Sequence, residues 1–510
     1  MATLNNILIG QFLLCQTENY IPENWNIRRS GSWCLGFHPD LPVIEILASD
    51  SSSIGWLLGY AVDSNGLLLK KNLQMLVSPQ DSSAASKLES SLYDFGGRFT
   101  AIFLTGNISR VYLDAIGSLS MVFCARQQIA ASSTALIPYS EDCGDNYELI
   151  NSLDIPRKDN WYPFGSTPRH SVERLLPNHF LDLNNWQSTR HWLTEEITPT
   201  QDIDNSIYEM GSLIKKNIAA FAENSPVYMA LTAGRDSRML LACAREYLQN
   251  IEFFTIRTPG KGGKLDCEVA SAIAKRHRLN HRIIEIQQVT ETELNEWLYR
   301  VGNCVAGNSW KNVRTLKQLD SSRGLLLGLG GEVGRSLYWR VSDTESTDIS
   351  PKELLRRIDV PGTLYLKEQS NKWLSNLPIK NTLTVLDIVF IEQRLGCWSG
   401  PQQYGNVNNA FRISPFSHRK IMEIMLSLPS EYKRYQMLAN DLIKSFYPEL
   451  LRFPFNEPIG IKRYFWLLKN VDKLINIITK KQVTQQIFRY DPAWKDEDED
   501  MEVVVQDKKS

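Results

Sequence analysis

The chain lacks the marks of several large functional classes. No stretch of its 510 residues approaches the roughly 20 consecutive apolar residues of a transmembrane helix, so no membrane span is expected. Net charge is nearly absent, with 56 Lys and Arg against 57 Asp and Glu, so nothing global draws the chain to phosphate backbones or anionic lipid. Nucleic acid is not an expected partner. The eight cysteines form no CxxC pair and match no His spacing, which argues against a zinc knuckle and against a disulfide framework. Reduced thiols in a cytoplasm are the expectation. The apolar run at 7–15 has no Lys or Arg before it, is interrupted by Gln11 and places the large Leu14 before Cys15. It reads as a buried strand rather than a secretory signal.

What is present suits about two or three ordinary domains. Up to about residue 190, short apolar runs at Val43–Leu47, 55–62, 99–104 and 110–113 alternate with Gly/Asn/Asp/Ser punctuation, the pattern of a β-rich domain. The polar stretch at 194–201, with Pro199 inside it, reads as a linker. Beyond it, Ile207, Met210, Ile214, Ile218 and Phe221 recur at spacings of three and four and place one apolar stripe on a helix. Strands predicted at 227–231, 251–256, 282–286 and 325–329 alternate with helices at 237–248 and 267–276, the grammar of a parallel sheet with crossover helices. The remainder, to about 490, is mainly helical, and the acidic run at 496–500 reads as a solvated tail.

The sharpest local signal is Leu231-Thr232-Ala233-Gly234-Arg235-Asp236-Ser237-Arg238, where the first parallel strand gives way to a helix. Small residues let backbone N–H groups approach an anion, Ser237 can cap the helix, and the helix dipole adds positive potential. Neither the Walker A pattern nor the three-glycine dinucleotide fingerprint is present.

This loop resembles the Ser-Gly-Gly-x-Asp-Ser pyrophosphate loop of the asparagine synthetase, β-lactam synthetase and lasso-peptide cyclase family, with Thr232 for Ser and Ala233 for the first Gly. Gly328-Leu329-Gly330-Gly331-Glu332-Val333-Gly334 is similar to the family's Gly-Glu-Gly-x-Asp-Glu loop, with Glu332 standing where a carboxylate helps hold magnesium. The stretch from Phe411 to His418, followed by the helix ending in Leu428-Pro429, resembles Glu-x-Arg-x-Pro-Phe-Leu-Asp without its leading and final acids. Tyr447-Pro448-Glu449-Leu450 resembles the Pro-x-Leu segment. In the first half, Tyr93-Asp94-Phe95-Gly96-Gly97-Arg98-Phe99, Leu113-Asp114-Ala115-Ile116-Gly117 and Arg174-Leu175-Leu176-Pro177 resemble the class II glutamine amidotransferase domain.

The resemblance implies an Ntn-hydrolase-like αββα sandwich over 1–193, a PP-loop α/β synthetase domain with a parallel sheet over 194–490, and a tail over 491–510. A glutaminase of this class exposes a cysteine as its first residue; Ala2 stands there, and Cys15 lies in an apolar run that disfavours a thiolate. The expected activity is therefore ATP-dependent, AMP-forming amide-bond formation on a small molecule or peptide, using the substrate's own amine. A biosynthetic partner protein stays open. Asparagine synthesis from free or partner-supplied ammonia, and an inactive scaffold, are the alternatives.

In that reading Leu231, Thr232, Ala233, Gly234, Arg235, Asp236, Ser237, Thr255, Ile256, Gly330 and Gly331 contact ATP, while Asp236 and Glu332 share Mg2+. Lys462 is the candidate cation for the departing adenylate. Glu392 and Tyr338 are the candidate base, with an ion pair of Glu392 to Arg394 and a core edge for Tyr338 as the plainer readings. Arg235 and Arg238 read equally as phosphate contacts or solvated charges. Lys261-Gly262-Gly263-Lys264 reads as a basic loop, and His277 with His281, at i and i+4, as a surface pair at a helix end.

Overall fold

The computed structural model describes residues 7–470 except 79, 80, 82, 107 and 307. Ala2, the stretch at 471–490 and the acidic tail lie outside the described residues. The molecule is mixed α/β, with one antiparallel, one mixed and one parallel sheet. No described helix is long and apolar enough to cross a membrane.

In the first half, a six-stranded antiparallel sheet runs in the order Glu173–Arg174, Val122–Cys124, Ile129–Ala131, Phe12–Cys15, Trp33–Phe37, Asn26–Ser30. A seven-stranded sheet faces it, in the order Gln187–Arg190, His179–Asp182, Ser109–Leu113, Gly96–Leu104, Ser53–Val62, Val43–Leu47, Leu73–Gln74, with the last pair parallel. Period-two alternation builds the layers: Phe12 and Leu14 join Trp56, Leu58, Ile102 and Val111 between the sheets, while Leu13 and Cys15 point to the outer side. Helix Ala84–Tyr93 covers the outer face of the seven-stranded sheet through Ala84, Leu88 and Leu92. The outer face of the other sheet is covered by short turns at Thr134–Leu136 and Glu141–Cys143, where the αββα expectation puts a second helical layer.

The second half opens with helix Ile203–Ala222, whose start is capped by Asp202 accepting the Asn205 N–H at 3.0 Å. All five residues of its predicted stripe are buried. Each such side chain contributes up to about 1.5–3 kcal/mol by leaving water. The parallel sheet follows in the order His281–Glu285, Ile251–Arg257, Val227–Ala230, Gly324–Leu326, Arg412–Ile413. Sequence order in the sheet thus reads outward in both directions from Val227–Ala230, and the carboxyl ends of that strand and of Gly324–Leu326 flank the topological switch point where open α/β sheets hold ligands.

Two local expectations are corrected. The basic stretch Lys261–Lys264 is no loop; it forms the first turn of helix Gly260–His277, seven residues ahead of the expected start. The helix after the first strand is α-helical over Arg235–Cys243 and tightens to 3-10 over Arg245–Asn250, shorter than the single 237–248 segment expected.

The halves share one core. Ile116, Trp161, Tyr162 and Phe164 join the cluster that holds Leu231, Met239, Ile391 and Leu395. Polar ties seal the joint: the Gly97 N–H donates to the Ser417 carbonyl at 2.9 Å, the Ser417 hydroxyl to Asp114 Oδ1 at 3.1 Å, and Arg419 to the carbonyls of Leu113 and Pro177. The Phe411 to His418 segment therefore serves as the seam between the halves.

Candidate functional site

Leu231 is still part of the sheet, its N–H donating to the Phe254 carbonyl at 2.9 Å. The chain then folds on itself. The Thr232 N–H donates to Ser237 Oγ at 3.2 Å, the Gly234 N–H to Thr232 Oγ1 at 3.0 Å, and the Ala233 N–H to Asp266 Oδ1 at 2.8 Å. Helix Arg235–Cys243 begins after Gly234 with no side chain capping it, so the positive end of its dipole is open. Gly234 has φ −73° and Ala233 has no positive φ. The Ala at the family's first Gly position is thus accommodated without strain.

The second loop, turn Gly331–Arg335, follows the neighbouring strand and brings Gly331 against Asp236. Gly330 has φ +99°, a conformation suited to glycine, and a Cβ at Gly331 would press on the Asp236 carboxylate, 2.6 Å from Oδ1. Asp236 and Glu332 do face one another, as the sequence predicts. Between them, however, lies Arg335, whose guanidinium donates to Asp236 Oδ2 at 2.7 Å and sits 3.9 Å from Glu332 Oε1. Glu332 Oε2 accepts the Gly330 N–H at 3.0 Å. Asp236 Oδ1 is buried without a hydrogen-bond partner.

Burial pushes both carboxyls up, and for Glu332 the adjacent Asp236 pushes further, to about 7. Arg335 and Arg235 oppose the rise at Asp236. The two side chains keep 20% and 26% of their surface open, so the pair lies at a mouth rather than in a sealed core. Arg235 is buried, its ring partner being Phe455 at 5.0 Å, and burial together with Arg335 lowers it to about 10. Arg238 is a clasp: it stacks on Phe455 at 3.8 Å and donates to the carbonyls of Ala233, Gly234, Phe453 and Pro454. Neither arginine is the solvated charge that the sequence left open.

Arg335 stands beside both carboxylates that the resemblance would give to a magnesium ion. Such an ion takes carboxylate oxygens at about 2.0–2.1 Å in octahedral geometry. Here Asp236 Oδ2 is engaged by Arg335 and Glu332 Oε2 by a backbone amide, while Asp236 Oδ1 has no hydrogen-bond partner. Among the described residues no group of three or more His, Cys, Asp or Glu converges for a metal.

Other predicted residues fall elsewhere. Thr255 is buried and gives its hydroxyl to the Leu231 carbonyl at 2.7 Å, with His281 Nε2 at 2.8 Å, leaving the half-buried Ile256 as the accessible member of that strand end. Lys462 is exposed on helix Ile461–Lys469 and pairs at 2.6 Å with Glu268, on the helix that carries Asp266. Glu392 is fully buried and saturated: Arg190 binds it at 2.6 and 2.9 Å, Asn178 at 2.8 Å and Trp373 at 2.7 Å. Its partner is Arg190 rather than Arg394, which stacks on Trp398 at 3.5 Å. With Arg190 holding its carboxyl down at about 2, Glu392 is a poor base. Tyr338 is not among its partners; it is buried against Phe390 at 5.8 Å, and burial raises its hydroxyl to about 12. His277 bonds the Tyr447 hydroxyl at 2.9 Å while His281 sits on a strand, so the pair shares no helix face. Cys15 is buried, which raises its thiol to about 11.

Sequence reasoning missed Arg335 and Asp266. No signal marked Arg335, which lies just beyond the 328–334 stretch that carries the resemblance. Asp266 carried none, because only the fold brings helix Gly260–His277 beside the loop. Comparison of the chain with family models and with curated proteins gives no match.

Proposed function

We propose that the chain is an ATP-dependent, AMP-forming carbon–nitrogen ligase of the asparagine-synthetase-like kind, a PP-loop synthetase domain joined to an Ntn-hydrolase-like sandwich that does not hydrolyse glutamine. The observation that carries the reading is the 232–237 loop, which leaves the parallel sheet at its switch point and opens an uncapped helix toward Asp236, Arg235 and Arg335. A substrate carboxylate oxygen would attack the α-phosphorus of ATP and expel pyrophosphate. The substrate amine would then attack the acyl carbon, lose a proton and release AMP.

The chain's own contribution is positioning and charge. First-turn amides of helix Arg235–Cys243 and the Ser237 hydroxyl receive pyrophosphate, the Leu231 and Ile256 strand ends flank the adenine, and Lys462 can turn from Glu268 toward the departing adenylate. Glu392 and Tyr338 are left out, for the reasons of burial and hydrogen bonding given above. A second reading, a nucleotide-binding scaffold without turnover, is favoured by Arg335 engaging the carboxylate that the ligase reading would give to a metal.

The test is pyrophosphate and AMP release from ATP by the full chain, screened against amino-acid, peptide and sugar-acid mixtures, with Asp236→Asn as control. Substrate-stimulated release that disappears in the variant supports the ligase. Nucleotide binding without release under any mixture moves the assignment to the scaffold.

A further inference from the structure

Arg335 occupies the place of a cation. It is 6% exposed, lies between Asp236 and Glu332, and belongs to the same turn as Gly331, which packs against Asp236. Two largely covered carboxylates facing one another are favoured by a positive charge between them, and a guanidinium supplies it permanently because it does not deprotonate in proteins.

A second observation points outward to a ligand. Arg235, 9% exposed, lies close enough to Arg335 to be disfavoured by its charge, and Nε of both is buried without a hydrogen-bond partner. Two neighbouring buried guanidiniums with donors unspent at the open end of a helix dipole form an incomplete arrangement. A phosphate oxygen completes it, since it is the acceptor that guanidinium donors match best.

We propose that Arg335 is the resident cation of the 232–237 loop, so that the loop binds pyrophosphate-bearing ligands without a divalent metal. The inference rests on the reading that this loop holds a polyphosphate, and it replaces the magnesium site that the resemblance implies. Arg335 acts with Arg235 as a ligand-binding residue, and the Asp236–Arg335 pair keeps the guanidinium aimed into the loop.

The experiment is calorimetric titration of the full chain with inorganic pyrophosphate and with ATP, each in excess EDTA and in excess magnesium. Binding of similar strength in both buffers is expected, weakened in EDTA by roughly tenfold or more in Arg335→Gln, the scale of one charge-assisted hydrogen bond. Arg335→Lys, which keeps the charge, should retain part of the affinity and controls for loss of folding. Binding that requires magnesium overturns the inference and leaves the ligase reading standing. Metal-free binding indifferent to Arg335→Gln also overturns it. No binding of either ligand in either buffer overturns the inference and the polyphosphate reading together.

Discussion

Arg190 and Glu392 form a two-pronged ion pair at 2.6 and 2.9 Å, joining the last strand of the first half to a buried helical segment of the second across 202 residues of chain. Glu392 is wholly buried and Arg190 nearly so, so the pair is a structural rivet whose partners cannot be removed singly at low cost.

Glu392→Ala should destabilise the chain by about 3–5 kcal/mol, because it strands the Arg190 guanidinium in the interior. Replacing both residues by apolar ones of similar volume should cost much less. Urea unfolding of the two variants separates these outcomes. A catalytic base would instead show loss of turnover at unchanged stability.

Acid should loosen the seam. Burial lowers both His179 and His418 to about 4, so each is neutral in the folded chain while an unfolded histidine titrates near its ordinary value of 6.5. Between those values the unfolded state binds more protons, so stability falls as pH drops from about 6.5 to about 4 and levels off below. Charging one such histidine costs the folded state on the order of 3 kcal/mol. Denaturant midpoints measured from pH 7.5 downward should therefore decline, and less steeply in a variant carrying His418→Asn.

Ala233→Gly, which restores the glycine of the resembled motif, should not strengthen nucleotide or pyrophosphate binding. Ala233 has no positive φ, so the substitution adds only backbone freedom and costs about 0.5–1 kcal/mol of stability. Calorimetry and thermal melts on the same preparation check both halves of the statement.

Gly331→Ala should disrupt the site while leaving the sheet intact. The new Cβ would lie 2.6 Å from Asp236 Oδ1 and 3.1 Å from the Phe416 ring, so either the turn or the Asp236 carboxylate must shift, and each disturbs the Asp236–Arg335 contact. The expected result is a native-like circular dichroism spectrum with binding weakened as far as in Arg335→Gln.

Lys462→Ala should barely alter stability, within about 1 kcal/mol, since its pair with Glu268 is open to solvent with side chains 65% and 43% exposed. A large fall in pyrophosphate release in a normally stable variant would assign Lys462 to the reaction. Unchanged release would leave it a surface charge.

Much of this architecture is local information. The stripe Ile207, Met210, Ile214, Ile218 and Phe221 specifies a helix with one buried face, and all five residues are buried. The strand run at 227–230, its loop of small residues and the order of strands and helices after it follow from periodicity and punctuation. The meeting of Asp236 with Glu332 was legible for the same reason, since both lie just beyond the ends of strands that a parallel sheet sets side by side.

Tertiary structure alone decided how those charges are balanced. Hydrophobic period is a property of neighbouring residues, whereas the partner of a buried charge is whichever group the finished packing brings within about 3 Å. Arg335 reaches Asp236 across 99 residues, Asp266 reaches the Ala233 amide across 33, and Glu392 is claimed by Arg190 rather than by Arg394 two residues away. Sequence proximity suggested the wrong partner for Glu392 and none for Arg335, because a helix or strand determines which way a side chain points but not what waits there.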